Sequence, residues 1–117
     1  MTAYKHAHNA SDYVNYCLDI LAPCGAITAR AMFGGHGLYR NGIIFGLIAD
    51  DVLYFKVDAQ SQQTYRAYGS TPFTYEKNGK TYAMSYYQVP GTVLENTVLL
   101  ATFVDEACTI SRQKKKK

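Results

Sequence analysis

The sequence predicts one α+β domain of two layers, an antiparallel sheet of about five strands with helices on one face, in the order α-β-β-β-α-β-β-α. Three observations carry this. Asn41-Gly42 and Asn78-Gly79 each stand between β-compatible stretches, and Asn-Gly favours the left-handed type I′ turn of a two-residue hairpin. Apolar residues recur at helical spacing near both ends of the chain. The gaps between the early β-compatible stretches are too short for the crossovers, about a dozen residues or more, that parallel pairing needs.

Taken in order, residues 1–10 show no steady periodicity and are expected to be flexible, with the domain running over 11–110 and a basic tail over 111–117. The first helix is expected to begin at Ser11, whose hydroxyl can accept from a free amide of the first turn, with Asp12 beside the positive end of the helix dipole. Val14, Cys17, Leu18 and Leu21 follow at i, i+3, i+4 and i+7, one helical face. Pro23 and Gly25 stop it. β-compatible residues then occupy Thr28 to Phe33, Gly37 to Arg40, Ile43 to Ile48 and Val52 to Val57, read as a meander of three antiparallel strands. Asp50-Asp51 makes a reversal, and Gly46 marks a bulge or a close backbone contact.

Asp58 is the expected N-cap of a second helix, Ala59 to Tyr68, ended by Gly69 in the left-handed conformation. A hairpin of Phe73 to Lys77 and Lys80 to Val89 follows across Asn78-Gly79. Thr92 is expected to cap the last helix, whose stripe of Leu100, Phe103, Val104 and Ala107 leaves Asp105 and Glu106 facing away.

At 117 residues, 48% hydrophobic and 18% charged, the chain suits a single core. No apolar stretch approaches the ~20 residues that span a bilayer, and the N-terminus lacks a basic segment followed by an apolar one. A membrane partner is therefore not expected. The three cysteines are odd in number and lack CxxC spacing, which suits a reducing, cytoplasmic compartment. The net charge of +3 includes Lys114, Lys115, Lys116 and Lys117; without them eight basic residues face nine acidic ones. The body is thus close to neutral and lacks the footprint of phosphate-backbone binding. The four lysines offer weak, salt-sensitive contact to nucleic acid.

Gly34-Gly35-His36-Gly37 invites comparison with phosphate-cradling loops, but a strand follows it where those loops need a helix N-terminus. A glycine-permitted bend is the expected reading. His6, His8 and His36, with Asp50 or Asp51, lack the short regular spacing of a structural metal site. Cys17 falls on an apolar stripe, where a thiol packs rather than reacts. Asp50 and Asp51 adjoin at a hairpin tip, which suits turn formation rather than acid-base work on a substrate held between them. No catalytic, cofactor or metal residue is assigned, and the protein is not expected to be an enzyme.

Eleven tyrosines and no tryptophan are the most unusual feature of the composition. Tyrosine suits a half-buried sheet and equally a binding surface. Tyr86 and Tyr87 must point to opposite faces of a strand, so one looks away from the helix layer. The candidate partner surface comprises Arg30, Phe33, His36, Tyr39, Tyr54, Tyr86 and Tyr87.

The segments Arg30-Ala31-Met32-Phe33-Gly34-Gly35-His36-Gly37-Leu38-Tyr39, Phe45-Gly46-Leu47-Ile48-Ala49-Asp50-Asp51 and Leu53-Tyr54-Phe55-Lys56-Val57-Asp58 resemble, in order, the N-terminal domain of the TfoX/Sxy family. So do Tyr65, Gly69-Ser70, Pro72-Phe73-Thr74-Tyr75, Gly79-Lys80, Met84-Ser85-Tyr86-Tyr87, Val89-Pro90 and Val93-Leu94-Glu95. The resemblance implies a two-layer domain similar to secretion chaperones and a role in competence-gene transcription alongside the cyclic-AMP receptor protein. It implies no catalytic site and no cofactor. Longer members carry a C-terminal domain as well, and the chain is expected to be the N-terminal domain standing alone. The expected function is a regulatory or adaptor module acting by protein contact, with a second copy of the chain as a further candidate partner. The alternatives are a small nucleic-acid-associated protein relying on its lysines, or a chaperone-like peptide-binding module.

Overall fold

The structure, a computed structural model, describes residues 10–32 and 34–115, with the side chains of residues 10, 11 and 115 excepted. Helix α1 (Ala10–Leu21) leads through a short 3-10 turn (Ala22–Cys24) into β1 (Ile27–Met32), β2 (Gly35–Arg40), β3 (Ile43–Ala49) and β4 (Val52–Lys56). Then come α2 (Ser61–Ala67), β5 (Pro72–Lys77), β6 (Lys80–Gln88), the single turn α3 (Gly91–Leu94) and the long α4 (Thr97–Lys115). The strands form one six-stranded antiparallel sheet in the order β1-β2-β3-β4-β6-β5. The α+β class is as expected; the sheet has six strands rather than about five. The extra strand is β1, which stands outside the expected meander of three and pairs with β2 from Ile27–Arg40 to Met32–Gly35, β2 itself starting two residues before the expected Gly37.

Three hairpins turn through consecutive left-handed residues: Asn41 and Gly42 at φ 54° and 76°, Asp50 and Asp51 at 51° and 60°, Asn78 and Gly79 at 55° and 78°. All three are turns whose twist matches that of the flanking strands. Between Leu38 and Tyr39 the β2–β3 register shifts, so that Phe45 is the extra residue of a bulge beside Gly46. A Cβ on Gly46 would lie 3.0 Å from the Tyr54 carbonyl oxygen. The sequence expectation of a bulge or a close backbone approach is met by both at once.

Asp58 caps α2 through its side chain: Oδ1 accepts from the Gln60 and Ser61 amides at 3.1 and 2.8 Å, while Ser61 Oγ accepts from the Asp58 amide. The helix closes as the amides of Gly69 and Ser70 reach back to the carbonyls of Arg66 and Tyr65, the hydrogen-bond pattern of a Schellman ending. The last helix departs from expectation. Thr92 sits inside α3 and caps nothing; Asn96 is the cap of α4, its Oδ1 accepting from the Leu99 amide at 3.0 Å. Pro90 starts α3, and the chain resets at Asn96 before the apolar stripe begins. The helix then continues through Ser111–Lys115, five of the residues expected in a basic tail.

Helix α4 packs on β3 and β4, and α1 packs on β1. Leu100, Phe103, Val104 and Ala107 are buried while Asp105 and Glu106 are exposed, as their spacing predicts. They meet Leu38, Phe45, Leu53 and Phe55 from the sheet and Cys17 and Leu21 from α1 in one core. Each fully buried leucine or phenylalanine there contributes about 1.5–3 kcal/mol relative to exposure. Arg40 pins the layers at one corner, donating to the Cys24 carbonyl at 3.0 Å and to Asp105 Oδ1 at 2.8 Å. Among the described residues no helix is long and apolar enough to cross a membrane.

Candidate partner surface

Residues paired directly across an antiparallel sheet share a face, which lets the register sort the side chains. Ala29, Leu38, Gly46, Phe55 and Tyr87 form one row, and their burial places it under the helices. The adjacent row, Arg30, Gly37, Leu47, Tyr54 and Gln88, lies on the opposite face, where none of the described helices packs.

That helix-free face carries a groove of about 450 Å³, bordered by Met32, Ile44, Leu47, Phe73, Met84 and Tyr86 among others. Gly37 makes part of it. A Cβ there would come within 2.7 Å of Met32 Sδ and 3.0 Å of Ile44 Cδ1, so glycine is what allows these two side chains to close over β2. Tyr54 stacks edge-on against Phe73 with ring centroids 5.2 Å apart, and Tyr75 lies over Tyr82 at 5.5 Å. Tyr75, Tyr82 and Met84 are each about two-fifths exposed, so the apolar surface continues from the groove onto the β5–β6 hairpin.

Two cations sit on the same face above tyrosine rings. The Arg30 guanidinium lies 5.5 Å from the Tyr39 ring centroid, and Lys56 Nζ lies 5.0 Å from that of Tyr86 while donating to Ser85 Oγ at 2.8 Å. Such contacts hold a charge in place without neutralising it. Partial burial, with the Lys114 charge nearby, lowers the Lys56 pKa from its ordinary value. Burial chiefly, and then Tyr39, raises that of Tyr86.

The residues expected to form a partner surface are only partly brought together. Arg30, Tyr39, Tyr54 and Tyr86 share the helix-free face, with Tyr86 itself only 6% exposed beneath Lys56. Phe33 lies outside the described residues. His36 borders the groove at the end of the sheet but stands in register with Ile48 and Leu53, and its Nδ1 is buried without a hydrogen-bond partner among the described residues. Tyr87 is a correction: its strand parity takes it to the helix side, where it is 4% exposed and its hydroxyl accepts from Arg66 Nε at 3.1 Å. Met32, Ile44, Leu47, Phe73 and Met84 border the groove but stand outside the expected surface, which is centred on the tyrosines of the strands. A signal for Ile44 and Leu47 exists in β3, whose Ile43-Ile44 and Leu47-Ile48 pairs cannot all point to one face.

The remaining chemical candidates are placed as follows. The three thiols are buried and free, and burial pushes Cys17 up to about 12, which keeps it protonated at neutral pH. Among the described residues no three His, Cys, Asp or Glu side chains gather as a metal-holding group; His6 and His8 lie outside them. Gly34-Gly35-His36-Gly37 forms the end of the β1–β2 hairpin and the first half of β2.

A family model described as the TfoX N-terminal domain matches residues 19–110, which take in all six strands and most of α4. The chain belongs to that family. Among curated proteins it is similar to Protein Sxy of Escherichia coli (strain K12), 28% identical over 98 residues covering 84% of this chain and 44% of the relative. It is also similar to DNA transformation protein TfoX1 of Aliivibrio fischeri (strain ATCC 700601 / ES114), 27% identical over 88 residues covering 75% and 42%. The chain thus spans less than half the length of either relative.

Proposed function

We propose that this TfoX N-terminal domain is a non-enzymatic regulatory module of the cytoplasm that serves competence or transcription control by protein contact, with the cyclic-AMP receptor protein as its partner. The observation that carries this reading is the helix-free sheet face. It joins an apolar groove, exposed aromatic side chains and two cations that have no carboxylate partner among the described residues. Aromatic, methionine and arginine side chains are the types enriched where proteins meet. The names of the relatives, one of them a DNA transformation protein, supply the biological setting.

The test is a titration of labelled cyclic-AMP receptor protein with the purified chain, with and without promoter DNA. A saturable complex is expected, weakened by Met84→Glu, which places a charge on the exposed part of the face. Absence of any complex at about 50 μM, where an interaction of roughly 6 kcal/mol would be visible, refutes the assignment of this partner.

A further inference from the structure

We infer that the groove on the helix-free face receives an acidic amphipathic helix of a protein partner, with apolar side chains entering the groove and flanking carboxylates meeting Arg30 and Lys56. The inference rests on reading this face as the partner surface and specifies the chemistry of what binds there.

Three features select this occupant. The first is backbone hydrogen bonding. The groove lies on a sheet face, where the amides and carbonyls of β2, β3 and β4 already bond to their neighbouring strands. An occupant of a face must bring its own backbone satisfied, as a helix does, whereas an extended peptide finds free partners only along the edges β1 and β5. The second is extent. A small apolar ligand would fill the groove but leave Tyr82 on the hairpin in water, while a helix, about 10 Å across with its side chains, covers both. Met32 and Met84 at the border are unbranched and adapt to an incoming side chain.

The third is charge. Arg30 and Lys56 stand on this face over Tyr39 and Tyr86, neither ion-paired among the described residues. Tyr86 both borders the groove and lies beneath Lys56, so a carboxylate beside an apolar anchor reaches the ammonium. Asp50 and Asp51 lie at the far end, beyond Ala49, where the Asp50 charge acts on Tyr54. Lys56 ends β4 whereas Asp51 precedes it, so the charges that select for acid are Lys56, away from the aspartates, and Arg30 across the sheet on β1.

The experiment is selection of displayed random peptides of about 16 residues, long enough for four helical turns, against the immobilised chain. Enriched peptides are expected to carry apolar residues at i, i+3 or i+4 and i+7 with an excess of Asp and Glu. Met84→Glu is expected to weaken them about tenfold or more, with an unchanged circular-dichroism melt showing that the fold is intact. Arg30→Glu is expected to weaken the acidic peptides and to favour versions carrying Lys at the acidic positions. Enrichment of neutral or basic peptides overturns the inference, as do binders paired along β1 or β5 and affinity indifferent to Met84→Glu. A dimer of the chain that occupies this face and dissociates on Met84→Glu overturns it as well. Success here without binding to the cyclic-AMP receptor protein rejects that partner alone; the reverse result rejects the acidic helix alone.

Discussion

Gly34 and Gly35 are neighbours that are required for different reasons, and separate substitutions distinguish them. Gly34 has φ 77° and nothing within 4 Å of where a Cβ would stand, so alanine there meets open space but a disfavoured backbone. The cost is about 1 kcal/mol. Gly35 has no such backbone demand, but its Cβ would lie 2.3 Å from the Ile48 carbonyl oxygen, where real contacts do not fall under 3.0 Å. Strands β2 and β3 must separate by at least the difference, about 0.7 Å, at the point where His36 pairs with Ile48. Losing one or two ladder hydrogen bonds there, with partners left unpaired, and repacking the groove costs roughly 3–5 kcal/mol in total. That is a large part of the ~5–15 kcal/mol that holds a domain of this size. In urea, with a slope of about 1–3 kcal/mol per molar, Gly35→Ala is expected to lower the midpoint by about 2 M and Gly34→Ala by about 0.5 M. Gly34→Asn should recover most of its loss because asparagine tolerates the left-handed region, and Gly35→Asn should recover none. Equal losses for the two alanine variants, or a Gly35→Ala midpoint within about 0.5 M of the parent, would refute the close-contact account.

Asp51→Gly is expected to raise stability by about 0.5–1 kcal/mol, measured by urea unfolding, since φ 60° strains aspartate and not glycine. Asp58 and Glu106 should respond to acid in opposite senses. Hydrogen bonds from the Ser61 amide foremost hold Asp58 below its ordinary pKa, so its stabilisation is complete above the usual aspartate range and is lost as pH falls through the lowered value. Partial desolvation of the otherwise exposed side chain first, then the Asp58 charge, raises Glu106, so its ionisation opposes folding at neutral pH and that penalty disappears as pH falls. Thermal melts against pH should therefore show a weaker acid loss for Asp58→Asn and a neutral-pH gain for Glu106→Gln. Deleting Lys114 to Lys117 should abolish any salt-steep binding to single-stranded or duplex DNA in a filter assay; binding that survives the deletion would exclude those lysines as its source.

Much of the fold was legible because its signals are local. Left-handed turn pairs, the Asp58 cap and the stripes of α1 and α4 depend on residues at most a few positions apart, and the structure places them as their chemistry demands. That the stretch from Thr28 joins the sheet as a sixth strand, and that β2 begins at Gly35, was not legible in the same way. Gly35 and Gly37 weaken a strand by propensity, yet β2 uses both, one to let the Ile48 carbonyl approach and the other to seat Met32 and Ile44. The cap of α4 is not decided by local chemistry either. Thr92 and Asn96 are both good caps, and only the geometry of Pro90 and the separate α3 turn decides that Asn96 serves.

The candidate surface divides along the same line. Alternation alone established that Tyr86 and Tyr87 point apart, but which of them faces the helices depends on where α2 and α4 pack. The groove depends on more still: Met32, Met84 and Phe73 are distant in sequence and meet because β6 adds beside β4 and brings the β5–β6 hairpin against a meander built from the first half of the chain. Turn chemistry and periodicity act within a few residues, so the sequence by itself determined the elements, their antiparallel pairing and the neutral, tyrosine-rich character of the body. The choice of face, the burial of Tyr87 and the assembly of an apolar groove on a face that also carries two cations are products of long-range packing, which only the tertiary structure decided.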